Sequence, residues 1–408
     1  MSNRIAIIGA GAAGLSCAAT LTGAGLDVTV FEAQDRVGGR MGTDHLEGFT
    51  LDHGFQVLMT GYPSVRRLLD LKALDLRPFE PGALIYDGEK YQRLVDPFGG
   101  NHLALFGTLR ARIPTMVDKV QIARMKLHLT RSSVSDLLGG PVESTRQVLR
   151  HRWGFSDRII AAFFEPFLGS YLYDESLQSR SSVSLMALRA FFIGQIALPG
   201  SGMAAVAQQL ATGINDLRLV SPVDDLNPLL SEYDAVVVAT EAAQAYSLLE
   251  AVHQRLPGLT TSSNMGMTLY FASRQSPFDD ATILVNGVPH EYVTSVSVPS
   301  MAAPSYSPTG WHLIAVNIVG DQAQHPIDDV IEPALGELRT MMGDMVDDWR
   351  FLRGYRAHCP DTSGMGSGVV QVTDRLFACG DHRDVGGLEA ALFSGQKAAD
   401  GVLAQISV

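Results

Sequence analysis

Lysine and cysteine are scarce in this 408-residue chain. Five lysines occur (Lys72, Lys90, Lys119, Lys126 and Lys397) beside 26 arginines, and none falls between Lys126 and Lys397. The three cysteines, Cys17, Cys359 and Cys379, are an odd number, far apart, and form no C-x-x-C pair. That pattern argues against a disulfide framework or a structural zinc site and fits a reducing compartment. No run of 18 uncharged apolar residues is present, so no membrane-spanning helix is expected. A charged segment followed by an apolar stretch and a small-residue cleavage site is also missing at the N-terminus, so a cytoplasmic location is expected. Positive charge is the minority: 31 Lys and Arg stand against 43 Asp and Glu, a net charge of −12. A chain this acidic is not, as a whole, a nucleic-acid binder. Clustered metal ligands and a Ser-His-Asp order are both wanting, so no metal is expected. With 46% hydrophobic residues and no long charge block, the chain is folded, and its length suits two or three interleaved cores.

Glycine is abundant: 40 residues, gathered in clusters rather than a collagen period. Ile5-Ala6-Ile7-Ile8 reads as a wholly buried parallel strand. Gly9-Ala10-Gly11-Ala12-Ala13-Gly14 then turns into a helix over Leu15 to Thr22, closed by Gly25. Val28-Thr29-Val30-Phe31 forms the next strand, and Glu32 ends it. Gly9 permits the tight turn, Gly11 lets the backbone approach a pyrophosphate, and Gly14 lets the helix pack on the strand. Unpaired N–H groups at the helix start would meet the phosphates, and Glu32 would accept from ribose hydroxyls. Strand, turn, helix, strand and acid fall in register, which identifies a dinucleotide site.

Six residues beyond Glu32 a second glycine pair lies between arginines, Arg36-Val37-Gly38-Gly39-Arg40, suited to another approach to phosphate. Leu51 to Leu58, containing Asp52-His53-Gly54-Phe55-Gln56-Val57, reads as a glycine-kinked apolar strand. Near the C-terminus, Arg375-Leu376-Phe377-Ala378-Cys379-Gly380-Asp381 is a strand entering a Gly-Asp turn, followed by a terminal helix from Gly386-Gly387-Leu388-Glu389-Ala390-Ala391. This set of motifs resembles the flavin amine oxidase and phytoene desaturase superfamily, nearer the desaturase and protoporphyrinogen oxidase-like branch.

The resemblance implies FAD and an α/β fold: a Rossmann-like FAD-binding domain (GR2-type) with a discontinuous α+β substrate domain of antiparallel sheet plus helices. It assigns 1–60, 200–240 and 355–408 to the FAD-binding domain, and 61–199 and 241–354 to the substrate domain. Cofactor contacts are implied at Gly9, Gly11, Ala12, Ala13, Gly14, Glu32, Ala33, Arg36, Gly39, Arg40, Gly54, Phe55, Gln56 and Val57. Further contacts are implied at Val223, Ala239, Thr240, Gly380, Asp381, Gly387, Leu388 and Ala391. The terminal helix would aim its positive end at the flavin.

Between the motifs, residues 61 to about 200 are helical in pattern, as over Val117 to Leu129 and Phe163 to Leu172. Leu217 to Val223 and Tyr233 to Thr240 read as strands returning to the first sheet. Met267 to Phe271, Tyr292 to Val298 and His312 to Val319 alternate as antiparallel strands of a chamber wall. Ile327 to Met342 reads as a helix. From residue 101 to 160 there are ten Lys or Arg against four acids, and from 321 to 350 eight acids against two arginines. Solvated helix faces account for such runs; a basic surface resting on anionic lipid is the sharper reading.

A flavin beside a chamber removes hydride from a substrate carbon. Amine oxidases of this superfamily place a lysine on the chamber strand and an aromatic residue before the terminal helix. The corresponding strand, Met265 to Tyr270, has no lysine, and the aromatic position falls on Gly386 or Gly387. The expectation is therefore an oxidoreductase acting on a hydrophobic small molecule, such as an isoprenoid, with oxygen or another electron acceptor. An amine or amino-acid oxidase, a flavin-dependent isomerase and a non-catalytic lipid-binding protein are the alternatives. The aromatic set Phe163, Phe164, Phe167, Tyr171, Tyr173, Phe191 and Phe192 is core in the main, with the remainder available to line a tunnel. Capping or flavin contacts are expected of His53, His382, Arg383 and Asp384 rather than acid–base work. Cys359 reads as a buried thiol rather than a flavin tether. No catalytic residue is assigned.

Overall fold

The computed structural model describes residues 3–94, 113–140, 142–255, 263–362, 368–383 and 386–406. Arg4–Ile8 lies at the centre of a five-stranded parallel sheet, between Asp27–Phe31 and Ala235–Val238. Asp216–Arg218 and Leu376–Ala378 complete the two edges. Ile5, Ile7, Val236 and Val237 are fully buried, as expected where helices cover both faces of a parallel sheet. On one face the helix Ala12–Gly23 packs against the terminal helix Gly387–Ile406. The Ser16 hydroxyl donates to the Leu392 carbonyl at 2.7 Å, and a methyl group at Gly395 would overlap the Ala13 carbonyl. The two ends of the chain thus share one core.

A second sheet has seven strands in the order Arg350–Pro360, Ser263–Ser273, His312–Val319, Ser295–Ser297, Ile283–Asn286, Ala83–Tyr86 and Tyr91–Leu94. It is antiparallel except where Ile283–Asn286 runs parallel to Ala83–Tyr86. The helix Ile327–Met342 covers it with Val330, Ala334 and Leu338, all buried. The hairpin Ala83–Tyr86/Tyr91–Leu94 lies in a region expected to be helical. Four-residue strands are too short to show a period, and their turn is set locally by Asp87 Oδ1, which accepts from the N–H groups of Glu89 and Lys90.

The expected strand from Leu51 to Leu58 is also divided. Phe49–Asp52 pairs with Thr43–Leu46, while Leu58–Met59 joins Ile196–Pro199 in another sheet. Two anchors force the break. Asp52 is buried and accepts from Thr43 Oγ1 (2.6 Å), Met203 N (2.8 Å) and Tyr306 Oη (2.8 Å), and Gly54 turns the chain at φ 101°. A third body of helices, including Met116–Arg131 and Ser181–Ile193, buries Met125, Leu129, Leu149, Ile159 and Leu188. Most of the aromatic set belongs here: Phe163, Phe164 and Phe167 stack or meet edge-on, and Phe191 joins Phe167. Among the described residues no helix is long and apolar enough to cross a membrane.

Candidate functional site

A cavity of about 580 Å³ opens where the C-terminal ends of the parallel strands meet the second sheet. Open parallel sheets place ligands at this position because strand ends and helix starts converge there. Gly9 takes φ 104°, and its amide donates to Phe31 O at 2.7 Å. A methyl group at Gly9 would come within 2.8 Å of Ala239 O, so the turn admits glycine alone. The following helix is capped by no side chain and has no acid in its first turn, leaving its N–H groups open to an anion. Glu32 is held rigidly: Oε2 accepts from Ala10 N (2.7 Å) and Oε1 from Gln34 N (2.8 Å). Its remaining lone pairs are the acceptors it can offer to hydroxyl groups.

In the cavity wall, Arg40 and Asp381 join the N- and C-terminal motifs through a 2.7 Å ion pair. Arg40 also donates to His358 O at 2.8 Å. The arginine is thereby committed to the protein, and Asp381 drives its pKa further up. Asp381 Oδ2 is buried with no partner among the described residues, which marks a place for a ligand hydroxyl or amide. Phe55, Val57, Met59, Tyr62, Tyr171 and Tyr173 also line the cavity. Tyr62 and Tyr171 share a 2.5 Å bond between hydroxyls, and burial pushes both phenol pKa values up. Tyr173 occupies the left-handed region at φ 55°, with its ring where a side chain at Gly266 would stand.

All the expected cofactor residues line this cavity except Gly14, Arg36 and Gly54. Gly14 sits behind the wall, where a methyl group would overlap the Gly9 carbonyl, so its task is helix–strand packing. Arg36 is nearly half exposed and, among the described residues, pairs only with Asp35, at 3.9 Å. The φ of 111° at Gly38 and 55° at Gly39 turns the loop after Arg36 toward the cavity, so Arg40 enters the wall and Arg36 stays outside. Gly54 lies outside the lining, where a methyl group would come to 3.7–3.8 Å of Ala357, Thr268 and Tyr173. Val223 lines the cavity from an extended segment, because the strand expected to contain it ends at Arg218.

Sequence reasoning missed Gln34, Met59, Met203, Ser170, Glu241, Gln244 and His358 as lining residues. Gln34 and Glu241 directly follow expected contacts and were within reach; Ser170 carries no local signal. His53 is outside the cavity, bound to Asp44 Oδ1 at 3.0 Å and stacked on Tyr355. His382 is buried, and burial lowers its pKa to about 4, so it is neutral near pH 7. Arg383 is buried and donates to Val369 O, while Asp384 lies outside the described residues. Cys359 lines the cavity as a neutral thiol, its pKa pushed to about 12 by burial. No group of three or more metal-ligating side chains occurs among the described residues.

The family model for flavin containing amine oxidoreductase matches residues 12–403. The chain belongs to this family. As a member of it, the chain is an FAD-dependent oxidoreductase. Protoporphyrinogen oxidase 2 of Arabidopsis thaliana is 43% identical over 67 residues, 16% of this chain and 13% of its own length. A 4,4'-diapophytoene desaturase of Staphylococcus haemolyticus is 47% identical over 55 residues, 14% of this chain and 11% of its own. The match therefore spans only a small part of either curated relative. An oxidoreductase of Methanosarcina mazei has the same fold, with a TM-score of 0.72 at 18% identity, covering 99% of this chain and 100% of that one.

Proposed function

We propose that the protein uses FAD to dehydrogenate a hydrophobic small molecule, with an isoprenoid as the leading class. One observation carries this reading: Phe55, Val57, Met59, Tyr62, Tyr171 and Tyr173 give the cavity an aromatic and apolar lining, and no lysine lines it among the described residues. The site fits FAD on its own geometry: a turn that admits glycine alone, an uncapped helix start, a fixed Glu32 and the orphaned Asp381 Oδ2. When bound, FAD supplies the two-electron chemistry.

In this assignment Glu32 takes the ribose hydroxyls, the Gly11–Ala13 amides take the pyrophosphate, and Asp381 takes a polar group nearer the flavin. Arg40 and Asp381 neutralise each other, so the pair orients without imposing net charge. The start of the terminal helix, at Gly387 and Leu388, lends positive potential to charge that develops on reduction. The chamber side chains exclude water and hold the substrate carbon. Residues 1–60, 200–240 and 355–408 make the cofactor half, and 61–199 and 241–354 the substrate half. Oxygen or another acceptor closes the cycle. Purified protein supplied with FAD is expected to show a flavin band near about 450 nm that bleaches on anaerobic addition of an isoprenoid substrate. A colourless protein under those conditions removes the reading. Peroxide release on an amine panel, without bleaching by isoprenoids, transfers it to the amine oxidases.

A second observation concerns location. The helix Met116–Arg131 leaves Met116, Val117, Val120 and Leu127 at least half exposed beside Lys119, Arg124 and Lys126. We propose that this face rests on anionic lipid. Co-sedimentation with vesicles containing phosphatidylglycerol, lost on Val117→Asp/Val120→Asp substitution and absent with neutral vesicles, is the expected result.

A further inference from the structure

We infer that the segment 170–173 makes one chamber wall a strip of hydrogen-bond donors, and that the substrate is an otherwise apolar molecule carrying an acceptor oxygen (carboxylate, carbonyl or hydroxyl) rather than a pure hydrocarbon. The inference rests on the chamber reading above and narrows its substrate class.

A backbone amide can only donate. The Phe55 amide donates to Thr268 Oγ1 at 2.9 Å. Thr268 therefore accepts there, and its single hydroxyl hydrogen goes to Asn317 Oδ1 at 2.8 Å. That bond fixes the amide orientation, so Asn317 Nδ2 donates to Ser295 Oγ at 3.1 Å. Ser295 is buried, and Ser170 Oγ, 2.9 Å away, is the acceptor within reach of its hydrogen among the described residues. Ser170 receives that hydrogen and has its own left over. Ser170 lines the cavity. Four bonds, the middle two buried within the second sheet, thus polarise in one direction and end on a free donor in the chamber wall.

Two neighbours repeat the pattern. Tyr62 and Tyr171 share one bond between two hydroxyls, which leaves one hydrogen unspent. The Tyr173 hydroxyl has no partner among the described residues, although its ring is fixed against Gly266 and its backbone is held at φ 55°, ψ 33°. A hydrocarbon filling this space would strand these donors away from water. An oxygen acceptor would satisfy them, and sites of that kind reject the analogue lacking the oxygen.

The test uses FAD-loaded protein and three ligands on one polyene skeleton: retinoic acid, retinol and the deoxy hydrocarbon. Binding is read by perturbation of the flavin spectrum and quenching of protein fluorescence. The two oxygen-bearing ligands are expected to bind at least ~10-fold more tightly than the hydrocarbon. Tyr173→Phe and Ser170→Ala should each reduce that advantage several-fold in protein that still binds FAD. Tyr173→Phe keeps the ring packing, so it carries the test even if Ser170→Ala, which disturbs Ser295, folds poorly. Equal affinity for all three ligands overturns the inference, as does an unchanged preference in both variants. Loss of FAD with the preference intact also overturns it, since the hydroxyls would then serve the cofactor. FAD that loads and bleaches with an isoprenoid while the preference is absent sinks this inference alone; failure to load FAD removes the functional reading beneath it.

Discussion

Two glycines five and two residues beyond Gly9 separate two tasks that the motif performs together. At Gly14 a methyl group overlaps the Gly9 carbonyl, while at Gly11 it meets nothing within 4 Å. Gly14→Ala must therefore part helix from strand, at a cost of at least ~2 kcal/mol, because a backbone oxygen cannot step aside. Gly11→Ala should leave the melting temperature of the FAD-free protein within about a degree and weaken FAD instead, since its methyl group enters the cavity. Thermal melting and flavin content of the two variants, with and without added FAD, check the pair. Equal loss of stability in both would show that Gly11 is also packed.

The Arg40–Asp381 pair offers a second contrast at this scale. Asp381 is buried while Arg40 faces the cavity. Arg40→Met should lower FAD affinity more than Asp381→Asn, because it leaves the buried Asp381 carboxylate unpaired beside an anionic ligand, whereas Asn keeps an amide in place and the guanidinium it leaves is partly exposed. Titration of FAD-free protein by flavin fluorescence ranks the two variants.

Among elements, the helix Met116–Arg131 depends on one carboxylate. Asp118 accepts from the amide and hydroxyl of Thr115 and of Ser156, closing a capping box and tying the helix to a second chain segment. These bonds hold its pKa below the ordinary aspartate value. A depressed pKa contributes stability that is complete above the unfolded value, about 3.9, and is lost as pH falls through the folded one. Asp118→Asn should thus cost roughly 2 kcal/mol near neutral pH, with the gap to the native protein closing below about pH 4. Urea midpoints at pH 7 and pH 3.5 measure it. A gap that stays constant with pH would mean that the Asp118 charge is not what holds the cap.

The chamber strand and the segment ending at Tyr173 fit as a pair. Gly266 is bare because the Tyr173 ring takes its side-chain space. Gly266→Ala should destabilise by ~1–3 kcal/mol, and much of that loss should return in the double variant with Tyr173→Ala, giving a coupling energy between the sites. Additive effects in that cycle would contradict the packing described. The same contact explains why a chamber strand without lysine is not an empty wall: the polar group comes from another element.

At the scale of the molecule, the site is assembled from both termini and the middle of the chain. The parallel sheet takes strands from Arg4–Ile8, Ala235–Val238 and Leu376–Ala378, and the first and last helices share a core. A ligand spanning these pieces binds only the folded state. FAD at 100 times its Kd should add about 2.7 kcal/mol of stability and raise the melting temperature accordingly. No shift in melting with bound FAD would mean that the unfolded chain binds it equally.

The nucleotide end was legible in the sequence because its chemistry is local. Glycines that must admit a backbone, an acid at a strand end and a Gly-Asp turn lie next to their partners along the chain, and steric necessity leaves few other residues for those places. The long amphipathic helix Ile327–Met342 was legible for the same reason, since sixteen residues display their period. Short strands such as Ala83–Tyr86 were not, and neither was the break at Gly54, which depends on Tyr306 and Met203 reaching Asp52 across more than 150 residues. Arg36 and Arg40 are equivalent on paper; the turn between them decided which enters the wall.

By itself, then, the sequence determined the family and the cofactor. Its shortage of lysine removed the amine that an ordinary amine oxidase sets beside its flavin. Only the tertiary structure decided what lines the cavity in its absence: tyrosine rings packed against glycines and a serine bonded to the second sheet. Those contacts join residues with no relation in sequence, and hydrogen-bond direction is a property of the assembled network, not of any residue type in it.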